Sequence, residues 1–579
     1  MDRPDTAYSG NWPVHNKKAV HASKRGTGAT MSRSAGGLVQ MGDQLMSDST
    51  KKTGLNRREF MAASAAAGAV ATAGSSPAKA ATPKRGGTLR YASRVDGRGL
   101  DPHRNFVYYV SNPMALTTMG LVDLGKDMSL QPGVAESWEN SADLMKYTFR
   151  LRKGAEYHNG RDIDAESVVW NVHRMLDPKI GHALHRSALA NVEKVESDGK
   201  HLVHFYMKKP SAIFPSDMVY YPVNLIAPDT PNPDEHPYGC GPFKFKSWKR
   251  YAKTELTRFE NYFETGADGN PLPYLDAIEA YPKVEDKVRL TALRSNEVDM
   301  IENMSFFDAP DFIKNESDKY NVFKSPQVGL AHFCIQAKSG PFAMSGGADA
   351  KLLRQAVMHA IDKQAIHEAV YNGLGEQMDT FYASGSPWHL PDVKKGPEYD
   401  PEKTRFILNK LNMANMPIAV VSRQAYQYMR NGGEILHAML LEAGFAATNE
   451  VFDNPVLQAK YLKDDYGIDS TASSFRFDPH GHYGRWMHSE AADNKRRTGF
   501  VNARCDELID AAAATTDTNL RKEMYTEVDS IVNDECVFIY HHSVPLTGAS
   551  VKNLKGYEPQ LTGGPNYHGG GIRTAYFDS

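Results

Sequence analysis

Between Gln131 and Pro178 the hydrophobic period of the chain changes from two to nearly four, and this change restricts its possible folds more than any other feature. Lys146–Arg152 alternates, with Tyr147, Phe149 and Leu151 on one face, as a half-buried strand does. His158-Asn159-Gly160 then supplies turn residues. Asp164 stands as an N-cap, and Val168, Val169, Val172, Met175 and Leu176 follow as one stripe at helical spacing. Asp177-Pro178 ends that helix, because a residue before proline is pushed out of the helical region.

The chain has 579 residues, enough for two or three domains. Its mean hydropathy of −0.51 suits a soluble globular protein. No apolar run approaches the ~18 residues that a membrane span needs. Lys and Arg number 67 against 69 Asp and Glu, so the basic excess of a nucleic-acid binder is missing. The sequence holds no H-E-x-x-H, G-x-S-x-G, P-loop or C-x-x-C pattern, and no catalytic residue is assigned.

The N-terminus is a different material. Residues 1–45 are polar, Gly- and Ser-rich and without period, which reads as a disordered extension or as a mis-assigned start with translation from Met46. Residues 46–80 then give a charged segment with Arg57 and Arg58, a short Ala-rich apolar run, and Ala78-Lys79-Ala80. The paired arginines resemble a twin-arginine export signal, with cleavage expected after Ala80. The first cysteine beyond it is Cys240, which argues against a lipid anchor. Removing 1–80 takes away more basic than acidic side chains and leaves a mildly acidic exported chain.

Four cysteines, Cys240, Cys334, Cys505 and Cys536, show no metal-binding or redox spacing. Cys505 opens one helical segment, and Cys536 lies just past a second that carries Leu520, Met524, Val528, Ile531 and Val532. With a turn near Thr515–Asn519, an antiparallel pair would bring Cys505 and Cys536 together as a disulfide; the alternative is four buried thiols.

Several motifs in order carry a family resemblance. Pro132, Ala135, Glu136, Ser137, Trp138, Tyr147, Thr148, Phe149, Leu151, Arg152, Lys153, Gly154, His158, Gly160, Ala165, Glu166 and Val168 follow the signature of the extracellular solute-binding proteins of family 5, the dipeptide- and oligopeptide-binding type. YGCGPFKFKSW (238–248), the stretch 274–301, KLLRQAVMHAIDKQAI (351–366) and the terminal helix pair with its return strand resemble further family motifs, so that the likeness covers 86–579. The resemblance implies an α/β fold of two lobes, the type II periplasmic-binding-protein fold of the large cluster. On this sequence the first lobe would comprise 86–125, 240–330 and 542–579, with 126–239 as an inserted subdomain, and the second lobe 331–541. The chain would cross the hinge twice, near Ala331–Gln336 and near Phe538–His542.

The resemblance also implies function: a periplasmic receptor of an ABC importer, monomeric, without cofactor, that hands a small solute to membrane permease and ATPase subunits. Arg423 falls where the dipeptide-binding branch has an arginine that meets the ligand carboxylate, a task suited to the guanidinium fork. Arg476 and Arg485 are alternatives. Asp478-Pro479 matches a lobe-two D-P pair, but Phe475 stands where peptide binders place the aspartate that holds the ligand amine. Tyr108, Phe475, Tyr483, Trp486 and Tyr540 are candidate aromatic contacts. His480, His482 and His541 are candidate polar contacts, since sequence shows only pairs of histidines and metal ligation needs three or four converging groups. The expected ligand is a peptide or peptide-like anionic solute. An opine, an oligosaccharide or a metal chelate is the alternative, and a Tat-exported periplasmic enzyme the rival outside the class.

Overall fold

In the computed structural model, two long antiparallel strands, Tyr320–Ile335 and Phe538–Val551, form the spine of the molecule. The structure describes residues 83–94, 96–97, 99–105, 113–220 and 223–578. The 1–45 extension, the signal segment with Arg57, Arg58 and the cleavage after Ala80, and Tyr108 lie outside the described residues.

The spine sits at the centre of a ten-stranded mixed sheet. Its order is Ala446–Phe452, Pro417–Arg423, Ile468–Ser474, Tyr320–Ile335, Phe538–Val551, Met300–Ile301, Thr88–Ser93, Ala277–Pro282, Lys253–Arg258, Phe243–Lys249. Phe538–Val551 is buried on both faces through Ser550, and its near-continuous apolar and small composition reflects that. Each half of the spine serves a different set of strands. Gly329–Ile335 pairs with Ile468–Ser474, whereas Ala549 and Ser550 pair with Met300–Ile301. Between these halves the ladder breaks, from Ser325 to Gly329 on one strand and from Val544 to Leu546 on the other. Pro326 and Pro545 fall in the break, where neither can donate a ladder hydrogen bond. The break thus precedes the Ala331–Gln336 crossing expected from sequence; there the strand is laddered on both sides, with a bulge between Ala331 and His332.

A separate four-stranded antiparallel sheet lies within the expected insert, in the order Ala135–Asn140, Lys146–Leu151, Leu202–Met207, Val192–Asp198. Tyr147, Phe149 and Leu151 are buried as their alternation requires. The helix Ala165–Leu176 begins at Asp164, whose carboxylate accepts from the Ser167 N–H at 2.8 Å, while the Asp164 N–H donates to the Ser167 hydroxyl at 3.2 Å. Val168, Val172 and Met175 are fully buried and Val169 and Leu176 partly so.

The terminal helix pair is present as Ala503–Ala513 and Thr518–Glu535. The Cys505–Cys536 disulfide is not: both are free and buried, as are Cys240 and Cys334. Unequal helix lengths explain the correction. At 1.5 Å per residue, Cys505 lies about 12 Å from the turn and Cys536 about 27 Å, an offset of about 15 Å where a disulfide tolerates at most about 7 Å. Cys505 packs with Leu508, Ile509 and Tyr525, whereas Cys536, in a left-handed cap, donates its thiol to the Asn533 carbonyl at 3.1 Å. Burial pushes both thiols up to about 12. Within the segment FDPHGHYGRW (477–486), which carries several of the candidate contacts, His480–Trp486 is helical, with His482, Tyr483 and Trp486 buried. No described helix is long and apolar enough to cross a membrane.

Candidate functional site

Where the spine ladder breaks, a cleft of about 1350 Å³ opens. Val328, Gly329 and Val544–Leu546 form its floor. One wall comes from Arg94, Asp96 and the segments 284–287 and 303–308; the other from Arg423, the segment 425–431 and Ala472–Ser474. The walls therefore belong to the two opposite ends of the sheet. At the floor the backbone approaches closely: a Cβ on Gly329 would stand 2.6 Å from the Ser473 carbonyl oxygen, which explains glycine there. The volume exceeds that of a drug-sized pocket, about 300–1,000 Å³.

Both walls carry exposed aromatics. Phe307 is 50% exposed and Tyr426 44% exposed, large values for apolar side chains. Phe306 and Tyr428, one from each wall, also line the cleft, with ring centroids 6.4 Å apart.

The polar part of the site is a row on the strand Ile468–Ser474. Asp469, Thr471 and Ser473 alternate along one face, and all three are buried. Asp469 accepts from Arg497 at 2.9 Å and from the Tyr461 hydroxyl at 2.8 Å. The Thr471 hydroxyl oxygen accepts from Arg497 at 3.3 Å and from Arg423 at 3.2 Å. Arg423, last residue of its strand, is half-buried; its Nε is buried without a hydrogen-bond partner, and no carboxylate ion-pairs it among the described residues. A guanidinium in that state keeps donor capacity for a charge-assisted hydrogen bond. Of the other cleft arginines, Arg94 approaches Glu302 at 4.0 Å and Arg104 approaches Asp101 at 3.5 Å, while Arg430, also without a carboxylate partner among the described residues, donates to the Gln424 carbonyl.

Of the residues singled out from sequence that are described, Arg423 lines this cleft; the rest lie outside its lining, buried except for the partly exposed His480 and Arg485. Asp478 forms a two-pronged ion pair with Arg521 at 2.6 and 2.8 Å, and the His480 N–H donates to it at 2.9 Å. His482 stacks on Phe381 with centroids 4.3 Å apart. Tyr483 and Tyr540 both donate to the buried Asp529, at 2.7 and 2.6 Å. Burial pushes that carboxyl up to about 7 against those hydrogen bonds. Phe475 packs edge-on to Tyr382, whose hydroxyl donates to the Arg476 carbonyl at 3.0 Å. Arg485 pairs with Asp493. His541 stacks on Phe333. Trp486 supports the polar row, edge-on to His332 and beneath Arg497. Sequence reasoning missed Phe306, Phe307, Tyr426, Tyr428, Thr471 and Ser473. The signal for the last two was the strand IDSTASS, whose polar face precedes the D-P turn.

Among the described residues, one group could hold a metal ion: Asp123, Glu264 and His568, with ligand atoms within 4.8 Å of one another. Arg573 already ion-pairs both carboxylates, at 2.8 and 2.6 Å, so their charge is compensated inside the fold.

Comparison with known proteins agrees with this architecture. Residues 129–494 match the model for "Bacterial extracellular solute-binding proteins, family 5 Middle". Heme-binding protein A of Haemophilus influenzae is 27% identical over 485 residues, covering 76% of this chain and 84% of that protein. Among solved structures, the PBP AgaA from A. tumefaciens R10, in complex with agropinic acid, superimposes with a TM-score of 0.68 at 22% identity, covering 85% of this chain and 99% of that one. The periplasmic binding protein DppA from Helicobacter pylori, in complex with the peptide STSA, gives 0.71 at 19% identity, with 86% and 99% covered. These structures share the two-lobed type II periplasmic-binding fold, in which a cleft between strand groups joined by a narrow crossing is the defining feature. The family match, spanning the insert and most of the second strand group, makes the chain a member of the bacterial extracellular solute-binding proteins of family 5.

Proposed function

We propose that this receptor captures a peptide or peptide-like solute through an anionic group that meets Arg423, and delivers it to the permease and ATPase subunits of an ABC importer. The observation that carries the reading is the Arg423 guanidinium, which faces the cleft with a buried, unpartnered Nε and no carboxylate partner among the described residues. Ligand contacts to both walls favour the closed state; this is a population shift and involves no bond chemistry. The 46–80 leader directs the chain through the twin-arginine route to the periplasm, where it acts as a monomer. On this reading the two lobes and their insert keep roughly the boundaries expected from sequence, but the hinge moves from Ala331–Gln336 and Phe538–His542 to the ladder break at Ser325–Gly329 and Val544–Leu546.

A second reading is favoured by the breadth of the cleft and by the exposed Phe307 and Tyr426. These suit a flat, non-peptide anionic solute, and a relative is named for heme binding. Titration calorimetry with dialanine, glutathione and hemin separates the two. Under either reading Arg423→Ala weakens the ligand by about 1.5–3 kcal/mol, the worth of a charged hydrogen bond. An unchanged Kd in that variant removes Arg423 from the site.

A further inference from the structure

Behind the cleft wall lies a short chain of hydrogen-bonding groups that the reading above does not use. Ser473 lies at the cleft and is 6% exposed; its hydroxyl has His332 as its one hydrogen-bond partner among the described residues, with 3.0 Å between the hydroxyl oxygen and Nε2. The other ring nitrogen, Nδ1, lies 3.3 Å from the Cys334 sulfur, and that thiol has no other hydrogen-bond partner among the described residues. His332 is held flat against Phe538, with ring centroids 3.9 Å apart, and edge-on to Trp486 at 5.2 Å, so the ring cannot turn away. On the same face of the neighbouring strand, two residues from Ser473, Thr471 holds Arg423.

We propose that Ser473 is the second anchor for the ligand's anionic group, and that Cys334 and His332 preset its hydroxyl as a donor into the cleft. The inference rests on the anionic-ligand reading of Arg423. Burial holds His332 neutral, well below the usual imidazole range, and keeps the Cys334 thiol protonated, well above the usual thiol range. A neutral imidazole carries one N–H and one lone pair. The S–H of Cys334 can donate to Nδ1; a neutral thiol sulfur is a weak acceptor, so the reverse bond is poorer. With Nδ1 accepting, Nε2 bears the proton and donates to the Ser473 oxygen. The Ser473 O–H is then unused inside the fold and turns to the cleft. An anionic oxygen there reinforces the arrangement, because a charge-assisted O–H···O⁻ bond is about twice as strong as a neutral one. Were the ring flipped to the other tautomer, Nε2 would consume the serine proton and present only oxygen lone pairs to the ligand.

The test has two arms. In protein labelled with ¹⁵N-histidine, the ring whose signals move in both Cys334→Ala and Ser473→Ala is His332. The expected result is protonated Nε2 and bare Nδ1 in the ligand-free protein; protonated Nδ1 overturns the preset, whatever the ligand does. In calorimetry with glutathione and hemin, both dicarboxylates, Ser473→Ala is expected to weaken binding about tenfold or more and Ser473→Thr to retain it. Arg423→Ala serves as the control on the parent reading. Loss of affinity in Arg423→Ala with none in Ser473→Ala overturns the anchor. No loss in either overturns the anionic-ligand reading, and the ring spectra then decide the tautomer separately.

Discussion

Removing the Arg521 side chain should destabilise the fold far more than removing the Asp478–Arg521 pair together. Both carboxylate oxygens of Asp478 accept from the guanidinium, at 2.6 and 2.8 Å, and the two side chains are only 9% and 7% exposed. Arg521 also lies over the Trp388 ring at 4.9 Å. Arg521→Met keeps most of the packing but leaves a buried carboxylate without its cation, at a cost of about 3–5 kcal/mol. Replacing both partners, as Asp478→Leu with Arg521→Met, removes the two buried charges at once, which is commonly near neutral. The double variant still loses the hydrogen bond from the His480 N–H to Asp478, a cap-like contact worth about 1 kcal/mol. Urea unfolding of the wild type, both single variants and the double variant gives the cycle directly. The expected pattern is two costly singles, a double variant within about 1–2 kcal/mol of wild type, and a coupling of several kcal/mol. An Arg521→Met cost below about 1 kcal/mol would refute the assignment of Asp478 to an internal ion pair and return it to the ligand candidates.

Other outcomes follow from the same geometry. Gly329→Ala, whose Cβ would press on the Ser473 carbonyl at 2.6 Å, should lower stability by about 1–3 kcal/mol in urea unfolding and disturb ligand affinity through the cleft floor. Asp529 holds its proton more tightly folded than unfolded, because burial raises it to about 7; its contribution therefore declines as pH rises from about 4 to about 7. Asp529→Asn should flatten that part of the stability–pH profile, and an unchanged slope would count against the burial argument. Thiol titration of the denatured protein should find all four cysteines with and without reductant, and a deficit without reductant would restore a disulfide.

What was legible in the sequence was local. Tyr147, Phe149 and Leu151 announce a strand, and Asp164 with Val168, Val172 and Met175 announces a capped helix, because each pattern closes within a few residues and its burial follows from its period. The helix pair at 503–535 was equally visible, but the disulfide inferred from it ignored that one helix is 11 residues long and the other 18. The site was less legible because it is assembled from strand ends and loops more than a hundred residues apart. FDPHGHYGRW looked functional from its residue types, yet its helix turns His482 onto Phe381 and Tyr483 onto Asp529. Ser473, which lines the cleft, and Thr471, which holds Arg423 behind it, belong to a strand of small polar residues with no motif, and their environment is set by Arg423, Arg497 and His332 from other strands and loops.

The same arrangement explains how a binding event could control closure. The exposed aromatics of the two walls, Phe307 and Tyr426, are about half exposed, so closure that buries the rest of each contributes about 1 kcal/mol per side chain. That gain acts with or without a ligand and by itself would favour an empty closed state. Arg423 opposes it. Closing over an empty cleft takes a guanidinium that has no carboxylate partner among the described residues further out of water, and a buried, uncompensated charge costs more than two half-buried aromatics return. An anion in the cleft cancels that penalty and leaves the aromatic gain in place. On this account the aromatics supply affinity with little discrimination, while Arg423 makes closure conditional on the charge of the guest. A receptor built from apolar contacts alone would close on nothing, and one built from the arginine alone would have no reason to close at all.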